Sequence, residues 1–403
     1  MLRATSPVPG KPELRTDRPT TTVSRCDGCP RVSRRSGIKL TVLWVPWAMV
    51  TMAGIDQASP TSSVFHLLLA ASLWWSVLLT CHIILDGRWW LWLLPSLIPP
   101  PLLVAVPIVL SLAAFAVGFT ASRPVLVLAA CALAVTLPQS GLRLPVPRRA
   151  IPQNPIRNGI RIISWNTEHW NQRSGDTSAM YSYLRGLDAD IYLLQEHCQL
   201  VNGKIRPISR AAELARAFSD FHLAIKGQLV TLSKLPVIDC PELGEEDLLR
   251  VDIRVGEADD VISIYNVHIQ VPLLLGNPFA ASFYREIRQR HVNRAAHFSE
   301  LLHDLHMNSN AALVAGDLNA SAVMVDSTRL RGVLCDAIYA SGRILPWSWN
   351  ARSRLLRLWR LDWVFLSPQL SVTNYEFLDP GGRSDHRAQR LILQPVISNK
   401  GRA

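Results

Sequence analysis

The sequence predicts an α/β protein in which two packed β-sheets, flanked by helices, follow a hydrophobic helical region. Three observations carry that reading. From residue 160 to residue 395, short β-rich apolar runs alternate with helix-patterned stretches, the pattern of a layered α/β domain. Ahead of them lie uncharged runs as long as a bilayer-spanning helix. The apolar runs of the domain also stop repeatedly at Asn, Asp, Glu or His, where a rigid sheet can present side chains into a shared cleft.

In chain order, residues 1–39 form a Pro-, Arg- and Thr-rich tail that reads as disordered. It lacks the apolar core directly after a basic start that marks a cleavable leader. A start at Met49 or Met52 would account for the tail equally well. Within it, Cys26-Asp27-Gly28-Cys29 is a lone CxxC without the second ligand pair of a zinc site. The 7 cysteines are scattered and define no disulfide framework.

Residues 64–85 are 22 residues without a formal charge, and a spanning helix needs about 20. Residues 89–120 are a second uncharged run, interrupted by Pro99, Pro100 and Pro101, which predicts one kinked helix or a broken pair. Residues 124–138 are short for a span, but their alanines suit close helix packing. Residues 40–55 are a weaker fourth candidate. Trp74, Trp75, Trp89, Trp90 and Trp92 cluster at helix ends as an interfacial aromatic belt would. Residues 139–158 then carry Pro145, Pro147, Pro152 and Pro155 among Arg143, Arg148, Arg149 and Arg157, a semi-rigid linker.

Beyond the linker, 160–165 and 191–194 are β-rich and are separated by a helix-patterned stretch, 177–190. Residues 211–218 read as a second helix, and 230–232, 248–255 and 261–269 as successive strands. Residues 285–307 are a long amphipathic helix. Strands at 312–315, 363–366 and 388–393 complete the series, and no internal repeat is visible.

The net charge of +11 is unevenly distributed. Residues 1–39 hold nine Lys/Arg against three Asp/Glu, and residues 40–150 hold five against two. Residues 151–403 are nearly balanced, with 28 basic and 26 acidic side chains. The basic excess therefore belongs to the tail and the helix flanks, where membrane topology and anionic lipid use it. A domain that tracks a nucleic-acid backbone needs a stronger basic excess than this one has.

The strand-end residues form a set with a chemistry. Hydrolysis of a phosphate ester needs a cation on the phosphoryl oxygens, an aligned water and hydrogen-bond donors. Glu196 is the natural anionic ligand for Mg²⁺, with Mn²⁺ as a substitute, and Asn166 is a neutral oxygen partner; Asp385 completes the metal set. His386 beside it is a candidate general base, with Asp362 as the carboxylate that orients its ring. Asp317 and Asn319 share one turn, so one can align the water while the other bonds a phosphoryl oxygen. His268 can donate to the phosphate or to the leaving oxygen. Singly, each has a duller reading as a turn cap, a solvated strand end or a core histidine. As an ordered set they have not.

The motifs "LLQEH", "YNVHIQ", "AGDLNA", "RLDWVFLS" and "GGRSDHRA", with Asn166 and the Ser-x-x-Pro run "TLSKLPVID", give residues 160–395 a specific resemblance. They resemble the endonuclease/exonuclease/phosphatase superfamily of DNase I-like nucleases, sphingomyelinases and inositol-polyphosphate phosphatases. The resemblance implies a four-layer α/β sandwich, His386 as base and Glu196 as metal ligand. Thr167 stands where that family more often has Val or Ile. The hydrophobic helices ahead of the domain look like its bacterial membrane-anchored branch, which includes glycopeptide-resistance proteins thought to act on undecaprenyl pyrophosphate.

The expectation is a membrane-anchored, Mg²⁺-dependent hydrolase of a phosphorylated lipid or lipid-linked pyrophosphate. A membrane-tethered endonuclease is the runner-up, and a non-catalytic scaffold the remote alternative. The tail arginines favour a cytoplasmic N-terminus, and the linker arginines a cytoplasmic exit. Three spans put the catalytic domain outside, and counting 40–55 as a fourth puts it inside. The expectation here is three spans and an extracytoplasmic domain.

Overall fold

The computed structural model describes residues 60–118, 122–142, 159–171, 177–201, 204–207, 210–256, 260–353 and 357–395. The tail with Cys26 and Cys29, the 40–55 run and linker residues 143–158 lie outside the described residues.

Three helices come first: α1 (Pro60–Leu85), α2 (Pro100–Val117) and α3 (Arg123–Thr136). Within α1 and α2, Ser63–Leu85 and Pro100–Val117 are long and apolar enough to cross a membrane, whereas the third apolar helix is shorter. The uncharged run 89–120 is divided. Trp90–Leu93 and Pro95–Leu97 are short 3-10 turns, and α2 begins only at Pro100. The prolines decide this: Pro lacks the N–H that a helix interior needs but is welcome in a first turn. The helices pack on one another through Leu69, Ala114, Val125 and Leu128. Their outer faces leave Leu67, Trp74, Val109 and Leu112 between 62% and 71% exposed. A helix that is apolar all round, yet bare on most sides, is unlike the core helix of a soluble protein.

The chain beyond the linker contains fourteen strands among the described residues, in chain order β1 (Ile160–Asn166), β2 (Ile191–Gln195), β3 (Cys198–Val201), β4 (Lys204–Pro207), β5 (His222–Lys226), β6 (Leu229–Ser233) and β7 (Val237–Asp239). These are followed by β8 (Leu248–Val255), β9 (Asp260–His268), β10 (Ala311–Asp317), β11 (Cys335–Asp336), β12 (Asp362–Leu366), β13 (Leu370–Leu378) and β14 (Ala388–Pro395). Two six-stranded sheets result, ordered β13-β14-β1-β2-β6-β5 and β11-β12-β10-β9-β8-β7, with β3-β4 a separate hairpin. Helices α4 (Thr177–Gly186) and α5 (Ala211–Ala217) cover one sheet; α6 (Ala281–Met307) and α7 (Val325–Val333) cover the other.

Side-chain alternation builds the layers. In β1 and β2, Ile162, Ile191 and Leu193 face the other sheet, while Ile163, Tyr192 and Leu194 meet α4 and α5. In β9 and β10, Ile264 and Leu313 face inward, while Tyr265, Ala312 and Val314 join Phe298 and Leu301 of α6. Strands buried on both faces read as continuous apolar runs, which is why these four stood out in the sequence. The architecture is the four-layer α/β sandwich that the resemblance implied.

Two parallel pairs point the same way. The α4 crossover joins β1 to β2, and the α6 crossover joins β9 to β10, so all four strands end at one pole. A polar bolt joins the sheets just behind that pole. Gln195 Nε2 donates to Asn266 Oδ1 at 2.7 Å, and Asn266 Nδ2 donates to the carbonyls of Leu194 and Val230.

The apolar helices dock at this same pole. His82 Nε2 lies 3.1 Å from the carbonyl of Val323, and Trp92 Nε1 donates to His82 Nδ1 at 3.0 Å. Asp86 accepts from the backbone N–H of Val325, a first-turn amide of α7, and Trp359 Nε1 donates to the carbonyl of Leu97 at 3.2 Å. Leu79, Leu103, Ala132 and Val323 form a shared apolar cluster.

Candidate active site

Every residue of the predicted set sits at or just beyond the ends of β1, β2, β9 and β10, at the start of β12, or just before β14. Register explains the convergence. Asn166 pairs across from Gln195, and Asp317 pairs with both His268 and Asp362.

Asn166 occupies the centre. Its Nδ2 donates to Glu196 Oε1 and to Asp317 Oδ2, both at 3.0 Å, so one amide joins a carboxylate from each sheet. Its Oδ1 accepts from the N–H of Glu168. Asn166 therefore presents its nitrogen, not its oxygen, to the carboxylates. Glu196 also accepts from the His169 N–H at 3.0 Å, with His169 Nδ1 3.2 Å away. Burial works against its charge, but His268, His169 and the Asn166 amide outweigh it and hold Glu196 below the usual carboxylate range.

Asp317 is 1% exposed. Its Oδ1 accepts from the Asn319 N–H at 2.8 Å, and its Oδ2 accepts from Asn319 Nδ2 at 3.1 Å. Asn319 Nδ2 also donates to the carbonyl of Ile269, so the turn is tied back to β9. Burial, with Asp362 nearby, pushes the Asp317 carboxyl up to about 6, although His386 and His268 pull the other way. His268 Nε2 lies 3.7 Å from Glu196 and 3.8 Å from Asp317.

His386 Nδ1 faces Asp362 Oδ2 at 2.8 Å, and its Nε2 lies 3.7 Å from Asp317 Oδ2. Burial alone would favour the neutral ring. Asp362 and Asp317 overcome it and raise His386 well above the ordinary histidine value. Asp385 stands on the far side, with Oδ2 accepting from Trp349 Nε1 at 3.0 Å and Oδ1 3.9 Å from His386 Nε2. Its described side-chain contacts thus run to Trp349 and His386, while Glu196 is held by Asn166 and His169.

The donor set suits a hard divalent cation. Glu196 offers anionic oxygen beside Asp317 at a site of excess negative charge, as Mg²⁺ would require. Asp317, Asp362 and His386 also offer ligand atoms that all lie within 4.8 Å of one another. That trio mixes nitrogen with oxygen, a set less suited to Mg²⁺ than carboxylate oxygen alone.

The local backbone is shaped for this. Glu196 and Asn319 adopt φ of +61° and +45°, uncommon for residues with a side chain and concentrated at functional sites. Gly316, with φ of +146°, approaches β9 so closely that a Cβ would lie 1.9 Å from the carbonyl oxygen of Val267. Only glycine lets β10 deliver Asp317 beside His268.

Sequence reading missed three supports. Ser384 Oγ donates to the Asn166 carbonyl at 2.7 Å and accepts from the His386 N–H, tying the last motif to β1. Thr167 Oγ1 bonds the Gln195 carbonyl at 2.8 Å, so the departure from Val or Ile adds a tie between β1 and β2. Glu168 pairs with Arg352 and accepts from the Asp385 N–H. The "SDH" and "NTEH" strings contain Ser384, Glu168 and His169, but spacing alone could not say that they meet.

Comparison with known proteins gives the family. Residues 163–386 match the family model described as Endonuclease/Exonuclease/phosphatase family. A search of curated proteins finds no match. Among solved structures, an endonuclease/exonuclease/phosphatase protein from Bacteroides vulgatus is 14% identical, with a TM-score of 0.44 over 59% of this chain and 99% of that one. A mannosyl-6-phosphatase from Bacteroides thetaiotaomicron is 13% identical, with a TM-score of 0.41 over 58% and 99%. Truncated TDP2 from Caenorhabditis elegans is 17% identical, with a TM-score of 0.40 over 58% and 97%. The family match spans more than half of the sequence and includes every candidate site residue: the chain belongs to the endonuclease/exonuclease/phosphatase family, whose members hydrolyse phosphoester bonds.

Proposed function

We propose that this hydrolase is anchored in a membrane, depends on Mg²⁺ or Mn²⁺, and acts on a phosphorylated lipid or a lipid-linked pyrophosphate. One observation carries the reading: the pole that gathers Glu196, Asp317 and His386 is the pole on which the apolar helices dock. A site held there reaches a phosphate at a bilayer surface. The near balance of charge over residues 151–403 disfavours the alternative of a membrane-tethered endonuclease. An intact set of site residues disfavours a non-catalytic scaffold.

Glu196 would hold the cation, with Asn166 keeping Asp317 in register beside it. When bound, the cation would polarise the phosphoryl oxygens and neutralise charge that develops on them. Asp385 would contribute to the charge around His386. Asp317, titrating near neutrality, is the better proton acceptor for an attacking water at pH 7, since an effective base has its pKa near the working pH. His386, held protonated, would donate from Nε2 to a phosphoryl oxygen, and Asp362 would keep the ring oriented. His268 would give a second donor on the opposite side of Asp317. The sequence gives the base role to His386 instead, and pH dependence separates the two assignments.

With Asp317 as acceptor and His386 as donor, kcat/KM is bell-shaped. It rises as Asp317 ionises around pH 6 and falls at alkaline pH as His386 loses its proton. Asp362→Asn removes the foremost attraction on the imidazolium, so the falling limb moves to lower pH and kcat drops by about 10²-fold or more. A rate that only climbs into the alkaline range would return the base role to His386.

For the substrate, full-length protein in detergent micelles or proteoliposomes should release phosphate from polyprenyl pyrophosphate, and EDTA should stop it. Cleavage of plasmid DNA with no turnover of any lipid phosphate would move the assignment to an endonuclease.

We further propose an extracytoplasmic catalytic domain on three spans. An alkaline phosphatase fused after residue 403 should then be active in intact cells, and a green fluorescent protein fused there should be dark. The reverse pattern puts the site in the cytoplasm.

A further inference from the structure

Between β9 and α6 the chain leaves the site through a loop, residues 271–280, that begins three residues after His268. Its stem is fixed. Arg294 Nη1 donates to the Gln270 carbonyl at 2.6 Å, and Arg290 Nη1 donates to the Val271 carbonyl at 2.9 Å, both from nearly buried guanidinium groups. Its far end forms a local turn, in which Asn277 Oδ1 accepts from the Phe279 N–H at 2.9 Å. Yet Leu275 is 98% exposed, Phe279 96% and Leu274 50%. One bare leucine on a surface is ordinary, but three large apolar side chains on a braced loop mark a contact site.

We propose that this loop dips into the bilayer surface beside the active site, with Leu274, Leu275 and Phe279 in contact with lipid. The proposal rests on the membrane-anchored reading above and deepens it. The loop emerges at the pole where the apolar helices dock. Arg294, which braces its stem, also binds Asp326 at 3.2 Å, and the neighbouring residue Val325 bonds Asp86 at the foot of α1. Residues 269–284 contain no charged side chain, whereas the exposed Arg285 and Arg288 follow, with Glu286 between them paired to Arg290. An uncharged apolar tip next to arginines suits the boundary between acyl chains and anionic headgroups. A lipid whose phosphate lies at that boundary would then meet His268 from the loop side.

The test uses the full chain in phosphatidylethanolamine/phosphatidylglycerol proteoliposomes. An environment-sensitive fluorescent amino acid is introduced at position 275 and, separately, at position 307. Met307 is also exposed (70%), but it lies at the opposite end of α6, roughly 40 Å along the helix at 1.5 Å per residue. Nitroxide-labelled lipids should quench the probe at 275 several-fold more than the probe at 307. Equal quenching would overturn the proposal, whether the loop is then covered by a second copy, a soluble partner or water. This readout needs no turnover, so it stands apart from the substrate assignment. In parallel, the double variant Leu275→Asp, Phe279→Asp should lower kcat/KM for lipid-presented phosphate about tenfold and leave turnover of a soluble aryl phosphate ester unchanged. An equal loss on both substrates would make the loop a structural support and overturn the proposal.

Discussion

One amide holds the site together. Asn166 reaches from the end of β1 to Glu196 in its own sheet and to Asp317 in the other. With two 3.0 Å bonds from one nitrogen, the carboxylate oxygens lie at most about 6 Å apart, a repulsion of roughly 3 kcal/mol at an effective dielectric of about 20. Such an arrangement survives only because donors surround it: the backbone of His169 and Asn319, the Asn319 amide, and the imidazoles of His268 and His386. A cation would complete the compensation. Burial, with Asp362 adding to it, raises Asp317 to about 6 in spite of the two imidazoles.

The layers follow from the same need. Carboxylates from two sheets meet only if both sheets end their parallel strands at one pole, and the two helix crossovers ensure that they do. The Gln195–Asn266 bond behind the site keeps the sheets from sliding past each other. Gly316 lets β10 lie against β9 without a side chain between them. The apolar helices then dock on the loop that follows Asn319, so these helices and the site share a few residues of backbone around Val323 and Val325.

Much of this was legible in the sequence because strands buried on both faces are continuous apolar runs with sharp polar ends. Residues 160–166, 191–195, 260–268 and 311–317 all have that signature. The edge strands β5 and β13 did not stand out: β13 alternates buried with half-exposed positions, β5 has no fully buried position, and both mix polar residues among apolar ones. Helix α7 is only nine residues long and takes its first-turn partner from Asp86, 239 positions away. The site residues were readable one by one, but their division of labour was not. Whether His386 or Asp317 carries the proton depends on burial and on carboxylates that meet only in the folded chain. The orientation of the Asn166 amide, likewise, is set by the Glu168 N–H, which no spacing rule announces.

If the amide-linked carboxylates are built to receive a hard cation, binding can be read without turnover. Electron paramagnetic resonance of Mn²⁺ titrated into the full-length protein in detergent measures it directly. Saturable binding that Mg²⁺ displaces and that Glu196→Gln weakens by tenfold or more is the expected result. Absence of saturable Mn²⁺ binding, or equal binding by the wild-type and Glu196→Gln proteins, would contradict it.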